Sequence, residues 1–292
     1  MIADMHNDIL TSGLGEKEIK EYLEGALKNC RIVTMAAWTS DSTPSLSSLK
    51  ETFEKYREYS EGRENFGKAV FAVEDMGFLR GDNLDGKLKE FFELPIAYAG
   101  LVWNNENIFG GGAFSEASLT ETGKRTVKLF NSSSAALDFA HMNKKTFYAA
   151  AEVYEKPILC SHTCFDECAP NNAPLYNIAR ARNLYDEQVK IIVQSNGLIG
   201  LTFVATFLNG TPSCTSDDAV RHIDYFVQKY GHGHLGIGTD YFGTKEIPAD
   251  IKEYKDFNIL SEKLLKLGYA KTAINAIFGD NYKRFLDNLL NS

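Results

Sequence analysis

Short apolar runs separated by amphipathic stretches recur eight times along this chain, and that alternation constrains its fold more than any other feature. The runs lie at 2–6, 31–37, 69–73, 96–102, 135–140, 157–161, 198–204 and 235–239. Runs this short also suit buried helix, but their β-branched content and polar flanks favour strand. Between them lie helical candidates at 17–28, 45–59, 84–92, 120–131, 144–154, 186–195 and 217–230. In the last of these, Val220, Ile223, Tyr225–Val227 and Tyr230 fall near helical spacing. Two more, 258–267 and 271–288, are expected to close the fold from outside. Strand and helix alternating over the whole length predict parallel β with crossover helices. Eight units point to a closed (β/α)8 TIM barrel occupying 1–292 as one α/β domain; an open doubly wound sheet is the alternative. The length of 292 residues agrees, since such barrels need about 250.

Composition narrows the function classes. A formal net charge of −8 and a pI near 5.4 argue against a nucleic-acid partner, because phosphate binding requires a basic face. No apolar run approaches the roughly 20 residues of a membrane span, so no membrane partner is expected. A strand-like segment begins at Ile2 and leaves no room for a signal peptide. Five cysteines are an odd number without a disulfide pattern, which fits a reducing compartment. A cytoplasmic protein is expected. Cys160, Cys164 and Cys168 surround His162, yet their spacing is not the C-x2-C pairing of structural zinc sites. Cys160 reads better as a small core residue.

The chemistry gathers at one end of the candidate strands. His6 and Asp8 follow the first run in Asp4-Met5-His6-Asn7-Asp8; Glu74 ends the third, His141 the fifth, His162 the sixth and Asp240 the eighth. In a barrel that end is the rim where active sites are built. Imidazole and carboxylate are the usual ligands of hydrolytic zinc. His6 and Asp8, two apart on an extended segment, are expected to face the same way and grip one ion. His141 and His162, from neighbouring strands, suit a second ion, and Glu74 has two oxygens with which to bridge them. Two divalent ions about 3.5–4 Å apart can activate a shared water and polarise a carbonyl. Taken singly, each residue has a plain structural role: a hydrogen-bonded histidine, a helix cap at Asp240, a rim charge at Glu74. The combination is what points to metal, with three of the six histidines at one end. His222 reads as helix packing, and His232 and His234 as turn residues.

This ordered set resembles the membrane (renal-type) dipeptidase family, metallopeptidases of the amidohydrolase superfamily. The segments that carry the likeness are Asp4-Met5-His6-Asn7-Asp8, Val73-Glu74, Leu119-Thr120-Glu121-Thr122-Gly123 and Gly238-Thr239-Asp240-Tyr241-Phe242-Gly243. The resemblance implies His6 and Asp8 as ligands of a first Zn2+, His141 and His162 as ligands of a second, and Glu74 as their bridge. It implies Asp240 as the catalytic acid/base. Arg182 looks like the arginine that binds the substrate's terminal carboxylate, a task suited to a guanidinium fork, with Arg180 a competing choice. The fourth run contains no lysine and the opening is His6-Asn7-Asp8 rather than His-x-His, which argues against a carbamylated-lysine relative. One departure concerns substrate binding. Trp103 stands where the family often has a histidine, and an indole N–H donates a hydrogen bond but carries no proton.

The function so implied is hydrolysis of dipeptides, including those with a D-residue at the C-terminal position, by a metal-bridging hydroxide. Family members are often dimers, so a homodimer is the implied assembly, although no residue here identifies an interface. Two alternatives stand beside it. One is hydrolysis of another small amide or N-acyl amino acid on the same site. The other is a catalytically silent homologue, which Trp103 keeps open.

Overall fold

Residues 1–39, 45–61 and 67–290 are described by the structure, a computed structural model. The eight strands are β1 (Ile2–Asn7), β2 (Cys30–Ala37), β3 (Lys68–Val73), β4 (Ile96–Gly100), β5 (Ala136–Asp138), β6 (Leu159–Thr163), β7 (Leu198–Leu201) and β8 (Leu235–Ile237). They pair in parallel in chain order, and Asp4 of β1 opposite Ile237 of β8 closes the barrel. Closure excludes the open sheet. β6 starts and ends two residues later than its sequence pattern predicts, so His162 lies within the strand. β4, β5, β7 and β8 stop two or three residues early, because the chain turns away to build the rim.

Thirteen α-helices are described: α1 (Glu16–Asn29), α2 (Leu46–Lys55), α3 (Arg57–Ser60), α4 (Leu84–Phe91), α5 (Glu121–Asn131), α6 (Lys144–Ala151), α7 (Tyr176–Arg182), α8 (Asp186–Gln194), α9 (Ala205–Asn209), α10 (Ser216–Tyr230), α11 (Phe257–Lys266), α12 (Lys271–Asn275) and α13 (Asn281–Leu290). Side-chain caps fix several starts: Ser45, Thr120 and Asn143 accept the backbone N–H three residues on. The predicted 45–59 helix is interrupted at Tyr56, whose ψ of 11° leaves the helical range. α7 and α9 have no clear apolar period. α7 buries only Ala179 and Arg182, and five-residue α9 is buried at Ala205, Thr206 and Leu208.

The C-terminal helices correct one expectation. α11 packs outside, against α10, but α13 does not. A π-helical turn at Ala276–Asp280 breaks the predicted 271–288 helix, and its Gly279 lies so near the chain start that a Cβ would sit 2.5 Å from the Met1 carbonyl oxygen. The extra residue in the turn re-aims α13. The stripe Tyr282, Phe285, Leu286 and Leu289 then packs with Met5, Ile32, Ala72, Tyr98, Leu159 and Leu198. α13 therefore seals the lower end of the barrel, whereas the main core lies between the strands and the surrounding helices.

Candidate metal centre

At the upper end, six of the side chains singled out in the sequence come together. His6 Nε2 lies 3.6 Å from Asp8 Oδ1 and 4.0 Å from Asp240 Oδ1. Glu74 Oε1 lies 2.9 Å from His141 Nε2 and 3.6 Å from His162 Nε2. The donor atoms fall into three sets that could each hold an ion: His6, Asp8 and Glu74; Glu74, His141 and His162; and His6, His162 and Asp240. Glu74 is common to the first two, as a bridge requires. Asp240 belongs to the third, so its carboxylate also reaches the centre.

Local backbone makes this convergence. Asp8 is not on an extended segment as expected; it sits in a turn beyond β1, with φ −89° and ψ 25°. A register shift between Asp4 and Asn7 accompanies the change, as irregularities beside active sites often re-aim side chains. His141 and Asp240 both adopt left-handed backbone, at φ 65° and 62°. Such strain in non-glycine residues persists where the surroundings over-determine it. For Asp240, Asp4 contributes to this at the β1–β8 seam. Its carboxylate accepts from the Thr239 and His6 amides, the Thr239 hydroxyl and the Tyr254 phenol. Gly243 leaves the remaining room, since a Cβ there would lie 2.2 Å from Asp8 Oδ2 and 2.4 Å from Asp240 Oδ1.

Hydrogen bonding tests whether these residues fit a metal. Tyr98 donates to the Met5 carbonyl at 2.7 Å, so its oxygen is left to accept from His6 Nδ1 at 2.9 Å. Asn104 Oδ1, 3.0 Å away, accepts from His141 Nδ1, and Ser161 Oγ stands 2.8 Å from His162 Nδ1. Each ring thus spends Nδ1 on a partner behind it and turns Nε2 to the centre, the arrangement typical of ligating histidine. His6 Nε2 and Asp8 Oδ1 are buried there without a hydrogen-bond partner. The Nε2 atoms of His141 and His162 stand only 2.8 Å apart, and two lone pairs so close require a cation or a proton between them. The residues fit.

Charge says the same. Burial, with Asp8 next, holds the Glu74 and Asp240 carboxyls well above their ordinary range. Burial also keeps His141 and His162 well below theirs, helped by Arg182 and His6. For His6, burial opposes the proton but Asp8, Glu74 and Asp240 outweigh it and push the ring up to about 10. A site without metal thus collects protons where cations would sit.

The sequence profile of the membrane dipeptidase family, peptidase family M19, matches residues 46–290. The chain belongs to that family. It is thereby a dipeptide-hydrolysing metalloenzyme. An uncharacterized protein from the pqqA 5' region of Klebsiella pneumoniae is 27% identical over 232 residues, 75% of this chain and 81% of its own. The fold resembles a metallopeptidase from Rhodobacter sphaeroides, solved with a phosphinate mimic of the dipeptide L-Ala-D-Ala, at TM-score 0.80 and 20% identity, covering 98% of each chain. It also resembles dipeptidase AC of family M19, at TM-score 0.82 and 22% identity, covering 100% of this chain and 99% of that one.

Within this membrane dipeptidase family member, the remaining predicted residues divide. Arg182, the last residue of α7, is buried, with Nη2 3.0 Å from His141 Nε2 and its Nε unpartnered. Arg180 is exposed and donates to the Tyr185 hydroxyl at 2.6 Å. Both line a cavity of about 440 Å³ beside His141, with Asn143 and Tyr185. Trp103 stands with its ring centroid 6.0 Å from that of His141 and edge-on to Trp38 at 5.2 Å. Trp38 escaped the sequence reading, although its indole N–H is buried without a partner; it follows β2 as Glu74 follows β3. All five cysteines are buried free thiols; Cys160 also lines the cavity beside His141, and burial raises the Cys160 and Cys164 pKa values. No helix among the described residues is long and apolar enough to cross a membrane.

Proposed function

We propose that this enzyme is a binuclear zinc dipeptidase, acting as a single barrel domain on short peptides that include those with a D-residue at the C-terminal position. His6 and Asp8 would hold one ion, His141 and His162 the other, with Glu74 between. The observation that carries the reading is Glu74, whose carboxylate belongs to both donor sets. Ions held there would supply a water activated near neutral pH and a polarised carbonyl. Asp240, beside His6 at the centre, takes the proton of the attacking water and delivers it to the departing amine. Arg182 receives the terminal carboxylate and so limits the substrate's length. Trp103, beside His141 and edge-on to Trp38, would line the substrate's space. Support for the D-residue comes from the Rhodobacter sphaeroides neighbour and its L-Ala-D-Ala mimic. The five free thiols support a cytoplasmic location, and the family resemblance supports a homodimer.

Metal content and turnover decide between this reading and its rivals. Protein purified without chelator should carry two equivalents of zinc and release amino acids from a mixed panel of L,L- and L,D-dipeptides. Asp240→Asn should keep its metal and lose a factor of roughly 10²–10⁴ in kcat. Cleavage of N-acyl amino acids alone would redirect the substrate, and metal without any turnover would mark a silent homologue.

A further inference from the structure

Beneath the centre lies a buried polar chain that takes no part in the proposed hydrolysis. Asp138, the last residue of β5, is 1% exposed. Its Oδ1 accepts the backbone N–H groups of Ala140 at 3.1 Å and Ser161 at 2.8 Å. Its Oδ2 accepts the Ser161 hydroxyl at 2.5 Å. Ser161 Oγ in turn lies 2.8 Å from His162 Nδ1, and more distantly, at 3.4 Å, from His6 Nδ1. Burial pushes the Asp138 carboxyl up while the Ser161 and Ala140 hydrogen bonds pull it back.

Donor arithmetic sets the direction of the chain. A carboxylate only accepts, so the Ser161 hydroxyl proton points to Asp138. The Ser161 oxygen is then left to accept; with the Tyr98 proton given to the Met5 carbonyl and that of His6 Nδ1 to Tyr98, the donor that remains is a protonated His162 Nδ1. We infer that Asp138, acting through Ser161, is a positioning residue that holds the His162 ring with its proton on Nδ1 and its Nε2 lone pair aimed at the metal centre. The relay itself is visible in this chain; its use rests on the proposed metal centre.

Asparagine at 138 is the sharpest probe. The Ala140 and Ser161 amides demand an acceptor, which pins the Asn oxygen at the Oδ1 position and turns its NH2 toward Ser161 Oγ. Ser161 must then donate to His162 Nδ1, and the ring proton moves to Nε2, facing the centre. Metal-free 15N-labelled protein, with only six histidines, allows the tautomer to be read from long-range proton–nitrogen correlations. His162→Gln assigns the signal. Wild type should show His162 with a proton on Nδ1, even where Nε2 shares a second proton with His141, and Asp138→Asn should show Nδ1 bare and the proton on Nε2. Zn2+ affinity, measured by competition with a chelator, should fall roughly 10–100-fold in Asp138→Asn and in Ser161→Ala, with thermal unfolding still cooperative. An unchanged tautomer in Asp138→Asn overturns the inference, even if zinc binds more weakly. Unchanged zinc affinity in both variants overturns it as well. Wild-type protein that bound no zinc would remove the metal reading, while the tautomer comparison would still decide the relay.

Discussion

Arg182 shows how much one residue's role depends on where its helix ends. α7 stops at Arg182, and the Thr163 hydroxyl donates to the Arg182 carbonyl at 2.9 Å, tying that end to β6. The guanidinium lies against the Phe207 ring at 5.1 Å, buried and with no carboxylate partner among the described residues. A buried cation left unpaired is costly, and a substrate carboxylate would supply the missing charge. Replacing Arg182 with Met keeps the stem and deletes the charge. A charge-assisted hydrogen bond contributes about 2 kcal/mol, so kcat/KM for a dipeptide should drop roughly thirty-fold, chiefly through KM. Hydrolysis of the same dipeptide as its C-terminal amide should scarcely change. Equal losses on acid and amide would show that Arg182 does not read the carboxylate, and a matching loss in Arg180→Met would transfer the role there.

Helix α10 carries a second histidine chemistry, unrelated to metal. His222 lies on its buried face, accepting the Phe165 backbone N–H on Nδ1 at 3.2 Å and donating from Nε2 to the Leu208 carbonyl at 2.8 Å. The ring thereby joins α10 to the segment after β6 and to α9. Burial holds it neutral, with its pKa lowered to about 4. Unfolding frees the ring to protonate near 6.5, so below that pH the unfolded chain binds a proton that the folded one refuses. Stability is lost as pH falls from about 6.5 toward 4. At pH 5 the loss amounts to about 2 kcal/mol, at 1.4 kcal/mol per pH unit. The stability difference between wild type and His222→Gln, from urea unfolding, should therefore shrink by about that much between pH 7 and pH 5. A constant difference would mean the imidazole protonates freely in the fold. His222 was readable as packing because it falls inside a helical period. The strands and the rim residues were readable for a similar reason, since apolar runs ending in His, Glu or Asp recur at one end. Asp8's turn, the left-handed His141 and Asp240, and the break that sends α13 under the barrel were not. These depend on contacts between chain segments far apart, such as Asp4 with Thr239 and Gly279 with Met1, which leave no local period to read.

At the scale of the whole molecule, the centre is fed by β1, β3, β5, β6 and β8, so ions bound there would link strands from all round the barrel. Without them, the buried carboxylates of Asp8, Glu74 and Asp240 face one another across a space that Arg182 alone among the described permanent cations approaches. Protons on Glu74 and Asp240, whose carboxyls burial and then Asp8 hold well above their ordinary range, are the remaining route. Metal that binds the folded chain and not the unfolded one stabilises by RT ln(1 + [L]/Kd). Above Kd each site therefore adds about 1.4 kcal/mol per tenfold rise in free zinc. Chelated protein should unfold at lower urea than protein resupplied with zinc, and the free energy should climb with log free zinc in buffered titrations. Two sites predict a limiting slope near ~2.7 kcal/mol per decade. Half that slope would leave one ion and make Glu74 a terminal ligand rather than a bridge; a flat line would mean that the donors converge on nothing but protons.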